Sequence, residues 1–135
     1  ENSSWIVDIK DIYPDGGREL VHFIYTGATS KDDVMEEIGK DLLGAADQYQ
    51  LDLLKNKCEE KLCSSLEISN SVELLVLADL HQASKLRRMA LRLVVKNINS
   101  IVDTDVYKDF IFRHPALVLE IQKAGILRKR DMGQQ

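Results

Sequence analysis

The sequence predicts a mainly α architecture. Three observations carry this reading: amphipathic stripes at 3/4 spacing follow one another between residues 41 and 62, a nearly all-apolar run at 71–81 follows a capping signal, and only one stretch alternates with period 2. The alternation lies in Trp5-Ile6-Val7-Asp8-Ile9-Lys10, with Trp5, Val7 and Ile9 on one face and Asp8 and Lys10 on the other, as in a half-buried strand. A single strand cannot stand alone, so a partner strand is expected upstream or in another chain, and the 135 residues are expected to be a piece of a larger fold.

The next elements follow from caps and spacing. Pro14 suits the first turn of a helix bearing Leu20, Phe23 and Ile24, and Gly27 supplies its stop. Gly16 and Gly17 weaken that first turn, by about 1 kcal/mol each relative to Ala. Residues 29–40 are mostly polar and acidic, with Val34, Met35 and Ile38 as isolated apolar points, and are expected to form a loop that runs into a helix. Leu42, Leu43, Ala46 and Tyr49 then make one helical stripe, and Leu51, Leu54, Cys58 and Leu62 a second.

Asn70 and Glu73 have the form of a capping box for the helix at 71–81, whose apolar surroundings on all sides mark it as central and buried. Ser84 is placed to cap a helix with Leu86, Ala90, Leu93, Val94 and Ile98 inward and Lys85, Arg87, Arg88, Arg92 and Lys96 mostly toward water. Thr104 is placed to cap a short helix with Val106, Phe110 and Ile111, and Pro115 opens a last one with Leu117, Val118 and Ile121. The expected total is one strand and about seven helices, with no internal repeat and no low-complexity segment.

Composition bounds the function. At 44% hydrophobic and 30% charged, the chain has globular makeup, and its length buries roughly two thirds of the unfolded surface without help from metal or disulfide. The 18 basic and 22 acidic residues give a net charge of −4, which disfavours general binding to nucleic acid or an anionic membrane surface. The longest apolar stretches, such as 74–78 and 93–95, fall far short of the roughly 20 residues that span a bilayer. Cys58 and Cys63 are five apart on a helix and share no face, so neither a disulfide nor a zinc pair is expected, and a reduced nuclear or cytoplasmic setting fits.

Catalytic chemistry is not visible. His22, His81 and His114 lie far apart, no glycine-rich phosphate loop occurs, and the acidic residues are spread over solvated faces. Cysteines on an apolar stripe are ordinarily buried filler. No catalytic residue, no metal ligand and no cofactor site is therefore assigned, and an enzyme is not expected. Arg128-Lys129-Arg130 reads as a solvated helix end, where cations complement the helix dipole.

Several motifs carry a family likeness. Phe23-Ile24-Tyr25-Thr26-Gly27, the run Asp41-Leu42-Leu43-Gly44-Ala45-Ala46-Asp47-Gln48-Tyr49-Gln50-Leu51, and Cys58-Glu59-Glu60-Lys61-Leu62 resemble the second half of a BTB/POZ domain. With Leu77-Ala78-Asp79-Leu80-His81 and His114-Pro115, the likeness is to the speckle-type POZ protein group and covers about residues 5–124. It implies an α/β BTB/POZ fold truncated at its N-terminal half over 1–66, helices of the three-box and BACK region over 67–127, and a basic polar tail at 128–135.

The resemblance also implies a function. Members of this group are adaptors of cullin-3 ubiquitin ligases, in which the BTB domain and three-box hold the N-terminal region of cullin-3 and a separate MATH domain holds the substrate destined for ubiquitination and degradation. BTB domains of this kind also pair as homo- or heterodimers, and a module for self- or hetero-association without cullin binding is the alternative.

The cullin-facing motif implied by the family is a hydrophobic residue, any residue and an acidic one ahead of the Asp-Leu-Leu helix. Ile38-Gly39-Lys40 stands in that place with Lys where a carboxylate is wanted, while Met35-Glu36-Glu37 takes the role if the register shifts; both placements stay open. Tyr49 and Leu51 match the family's contact positions, although Leu51 also suits an ordinary core position. The candidate partner-binding residues are thus Met35, Glu36, Glu37, Ile38, Tyr49 and Leu51. Three departures stand out: Gly16 and Gly17 replace apolar family residues, Gln122 replaces an aromatic used in BACK self-association, and the expected truncation removes the helix and strand that build most of the family's dimer interface.

Overall fold

The computed structural model describes the backbone of residues 32–133 and the side chains of residues 37–131. The strand expected at residues 5–10 and the helix expected at 14–27 lie outside the described residues. The described part is mainly α, as expected, with no strand among these residues. Its helices are α1 (Asp32–Gln48), α2 (Asp52–Ser64), α3 (Ser71–His81), α4 (Ser84–Lys96), α5 (Ile98–Ile101), α6 (Asp105–Arg113) and α7 (Pro115–Gly133), with a short 3-10 turn at Ile68–Asn70.

The helix expected to follow a loop within residues 29–40 begins already at Asp32 and runs without a break into the Asp-Leu-Leu segment. Ile38 packs on the same apolar cluster as Leu42 and Leu43, so the inward stripe begins earlier than the polar composition implies. Gly39 sits where α1 presses closest to α2: a Cβ there would lie 3.2 Å from Leu62 Cδ2. Lys40 fixes the same turn from outside, with Nζ 3.2 Å from Glu37 and 2.9 Å from Glu73 of α3.

Both α1 and α3 end on a left-handed glutamine. Gln50 has φ 58° and Gln82 has φ 54°. After α1, the Leu51 N–H donates to Ala46 O at 2.8 Å and Gln50 N–H to Asp47 O at 3.2 Å; after α3, Ala83 N–H donates to Ala78 O at 2.9 Å and Gln82 N–H to Asp79 O at 3.4 Å. This is the Schellman pattern, in which the chain reverses and an apolar residue folds back on the helix. The apolar residues are Leu51, half-buried, and Ala83, buried. The helix ends expected near Tyr49 and His81 are thus observed, but on glutamine where sequence reading looks for glycine.

The expected caps are partly rearranged. Asn70 does not cap α3 with its side chain; it turns back, accepting from Glu67 N–H at 2.8 Å and donating to Ser65 O at 2.9 Å, while Glu73 pairs with Lys40. Ser84 is already inside α4 and makes no cap. The carboxylate of Glu59, from α2, accepts the Leu86 N–H at 2.9 Å instead and satisfies a free amide of the first turn. Thr104 caps α6 as expected, its hydroxyl accepting from Tyr107 N–H at 3.2 Å. In α6 Phe110 faces inward as expected, but its buried companion is Tyr107, whereas Val106 and Ile111 are exposed.

Two apolar clusters result. One joins α1, α2 and the start of α4 around Leu42, Leu43, Leu54 and Leu62; the other joins α4, α6 and α7 around Val94, Phe110, Leu117 and Ile121. Helix α3 lies between them, giving Leu74 and Ala78 to the first and Val72 and Leu75 to the second. Its central placement is as expected, except that Leu80 is exposed.

The left-handed glutamines give a test. A non-glycine residue in this conformation costs about 1 kcal/mol, which glycine relieves at some expense in unfolded-chain entropy. Gln82→Gly is expected to stabilise the protein by roughly 0.5 kcal/mol, seen as a higher urea midpoint at unchanged slope. An equal or lower midpoint would show that the Gln82 side chain compensates its backbone.

Candidate partner-docking surface

The turn from α1 to α2 displays apolar side chains that the core does not use. Tyr49 is 58% exposed and Leu53 is 48% exposed, while Leu51 between them is half-buried against Leu42 and its neighbours. The Schellman turn causes this alternation by folding Leu51 inward and leaving Tyr49, at the helix terminus, pointing out. Leu53 follows on the outer side of the first turn of α2, and the sequence stripe gave no sign of it because Leu54, its neighbour, fills the core.

A charged clasp fixes the turn from below. Asp47 Oδ2 lies 3.0 Å from His81 Nδ1 at the end of α3, and Asp47 Oδ1 lies 3.0 Å from Lys55 Nζ in α2. One carboxylate thereby ties three helices. The hydrogen bond with His81, and then that with Lys55, holds the Asp47 carboxyl below its ordinary value. Asp47 and His81 are 34 positions apart in sequence, so no local pattern reveals the pair.

The other candidate residues lie along α1. Met35 and Glu36 are on its second turn, with side chains outside the described set. Glu37 is exposed and reaches Lys40, whereas Ile38 is half-buried and packs against the core. The side chain of Lys40 is only 10% exposed, held between Glu37 and Glu73. The structure therefore brings Tyr49 and Leu51 together with Leu53, and sets Glu37 and Ile38 nearly three turns away along the same helix.

Nothing here forms a metal centre: among the described residues no group of three or more His, Cys, Asp or Glu side chains is placed to hold one. Among those residues, too, no helix is long and apolar enough to cross a membrane. Cys58 is fully buried between α1 and α2, which pushes its thiol up to about 12. Cys63 is half-buried, and desolvation followed by the nearby Glu59 carboxylate raises it as well. Both sulfurs are thus held as thiols at neutral pH, the opposite of an activated nucleophile.

Two measurements follow. With a maleimide at neutral pH, Cys63 is expected to react slowly and Cys58 only after denaturation; rapid native labelling of Cys58 would contradict its burial. A carboxyl held below its ordinary value of 3.8 adds stability at neutral pH that is lost as pH falls through its folded value. Asp47→Asn is accordingly expected to lower the melting temperature at pH 7 and to match the parent protein at pH 2; a constant difference across that range would mean that packing, not ionisation, explains the loss.

The family comparison bears on this part of the chain. The model of the BTB/POZ domain matches residues 1–66, a span that includes α1, α2 and the Tyr49 turn. The surface around Tyr49, Leu51 and Leu53 is thus part of a segment that matches a protein-interaction domain.

Proposed function

We propose that the chain is the docking part of a substrate adaptor for cullin-3 ubiquitin ligases, similar to the speckle-type POZ protein group, and that it receives the N-terminal helical region of cullin-3 on α1 and the turn that follows. Residues 67–127 are assigned on this reading to the three-box and the start of a BACK region, continuing the BTB segment at 1–66.

The observation that carries the proposal is the exposed pair Tyr49 and Leu53, braced by half-buried Leu51, within the segment that matches the BTB/POZ model. An aromatic with a polar tip beside an aliphatic anchor is the composition of an interface hot spot. Of the two placements for the acidic motif, Met35-Glu36-Glu37 is favoured. Ile38, Gly39 and Lys40 are already engaged in packing α1 against α2 and α3, whereas Glu37 faces solvent.

Calorimetric titration of the folded chain with the N-terminal region of cullin-3 tests the reading. Micromolar or tighter binding is expected, weakened roughly tenfold by Tyr49→Ala and abolished by Leu51→Asp. Leu51 touches the core, so Tyr49→Ala, which alters only an exposed side chain, separates lost docking from lost folding. No binding by the folded chain, with concentration-dependent dimers in sedimentation, would favour a BTB module for self- or hetero-association instead.

A further inference from the structure

The packed pair α4 and α7 presents a second surface with a different character. Arg88, Leu91, Arg92 and Val95 follow one another along α4 at spacings of three and four, and Ala124, Leu127, Arg128 and Asp131 do the same along α7. The two stripes face a common groove of about 460 Å³, open to solvent and lined by these residues. Its floor is aliphatic: Val95 is buried, Leu91 and Ala124 are half-buried, and Leu127 is 58% exposed.

Charge sets the groove apart from an ordinary gap between helices. Arg88, Arg92 and Arg128 are exposed, and none of them forms an ion pair among the described residues. The adjoining Arg87 shows what a structural arginine looks like in this protein: its guanidinium holds Glu120 of α7 through two bonds of 2.7 and 2.8 Å and Asp79 of α3 through one of 3.0 Å. That clasp already joins α4 to α7, so the three unpaired arginines are not needed to hold the helices together. In a chain of net charge −4, they concentrate positive potential along one apolar cleft.

We propose that this groove docks an acidic amphipathic segment of a partner protein, in which aliphatic side chains one helical turn apart lie on Leu91, Val95, Ala124 and Leu127 while flanking carboxylates meet Arg88, Arg92 and Arg128. A helix laid in a groove presents apolar anchors at i and i+4 with acidic residues beside them, and guanidinium groups match carboxylates through paired N–H donors. Nucleic acid fits less well, because a phosphate backbone has no use for the aliphatic floor and Asp131 stands on the rim. The site shares no residue with the Tyr49 turn, so it stands or falls independently of cullin docking.

The test uses the whole chain and a fluorescent synthetic helical peptide with Leu at i and i+4 and Glu at the flanking positions. Saturable anisotropy binding that weakens as salt rises is expected, together with at least roughly tenfold weaker binding of two control peptides, one with Gln for every Glu and one with Ser for every Leu. Arg88→Gln, Arg92→Gln and Arg128→Gln are each expected to weaken binding roughly two- to fivefold, as partly exposed ion pairs do, and Leu127→Ser is expected to weaken it through the floor. All four side chains are exposed, so unchanged circular dichroism is expected throughout. Absence of peptide binding, equal binding of either control peptide, or indifference to the arginine substitutions overturns the proposal. Tighter binding of a single-stranded oligonucleotide or of phosphatidylserine vesicles also overturns it, in favour of a general polyanion surface.

Discussion

Helix α3 carries the structure because it belongs to both apolar clusters at once. Leu74 and Ala78 close the cluster beneath α1 and α2, while Val72 and Leu75 close the one beneath α6 and α7. A helix with one apolar stripe could serve only one side, so near-uniform apolarity around its circumference is a requirement of the position. The polar connections of α3 then run outward from its ends, through Glu73 to Lys40, His81 to Asp47 and Asp79 to Arg87, reaching α1 and α4. Each of these contacts is partly exposed and individually weak, but together they fix the rotation of the helices around α3 while burial supplies the stability.

The same division of labour bears on the two proposed docking surfaces. Where a helix end is tied down by its neighbours, as at Asp47, the side chains just beyond it are held in place without being needed for packing, and Tyr49 and Leu53 are displayed on a rigid turn. Where apolar packing and the Arg87–Glu120 bonds join α4 to α7, Arg88, Arg92 and Arg128 stay exposed on the surface of those helices. Rigid presentation lowers the ordering cost that an interface must overcome on binding.

What the sequence made legible was whatever a local period encodes. The stripes of α2 and α4, the all-round apolarity of α3, the Thr104 cap and the Pro115 start were all readable because each depends on residues within a turn or two. The early start of α1 was hidden, since its first turns are acidic and Ile38 alone did not announce a stripe. The ends of α1 and α3 were legible, but their left-handed form at Gln50 and Gln82 was hidden, because Leu51 and Ala83 fold back on the helices where glycine is the usual signal. Tyr49 and Leu51 were found through family likeness; Leu53 was passed over because it lies off the stripe that Leu54 belongs to, and the Asp47–His81 bond because its partners are distant in sequence.

The bond from Glu59 to the Leu86 amide has a consequence for modularity. The family match ends at residue 66, yet the first turn of α4 borrows its cap from inside the matched segment, and Leu86 is buried in the cluster that segment builds. The border of the family match is therefore not a border of the packing. A sequence change at position 59 acts on a helix that begins 25 residues later, so the matched segment and the helices after it are coupled through this cap.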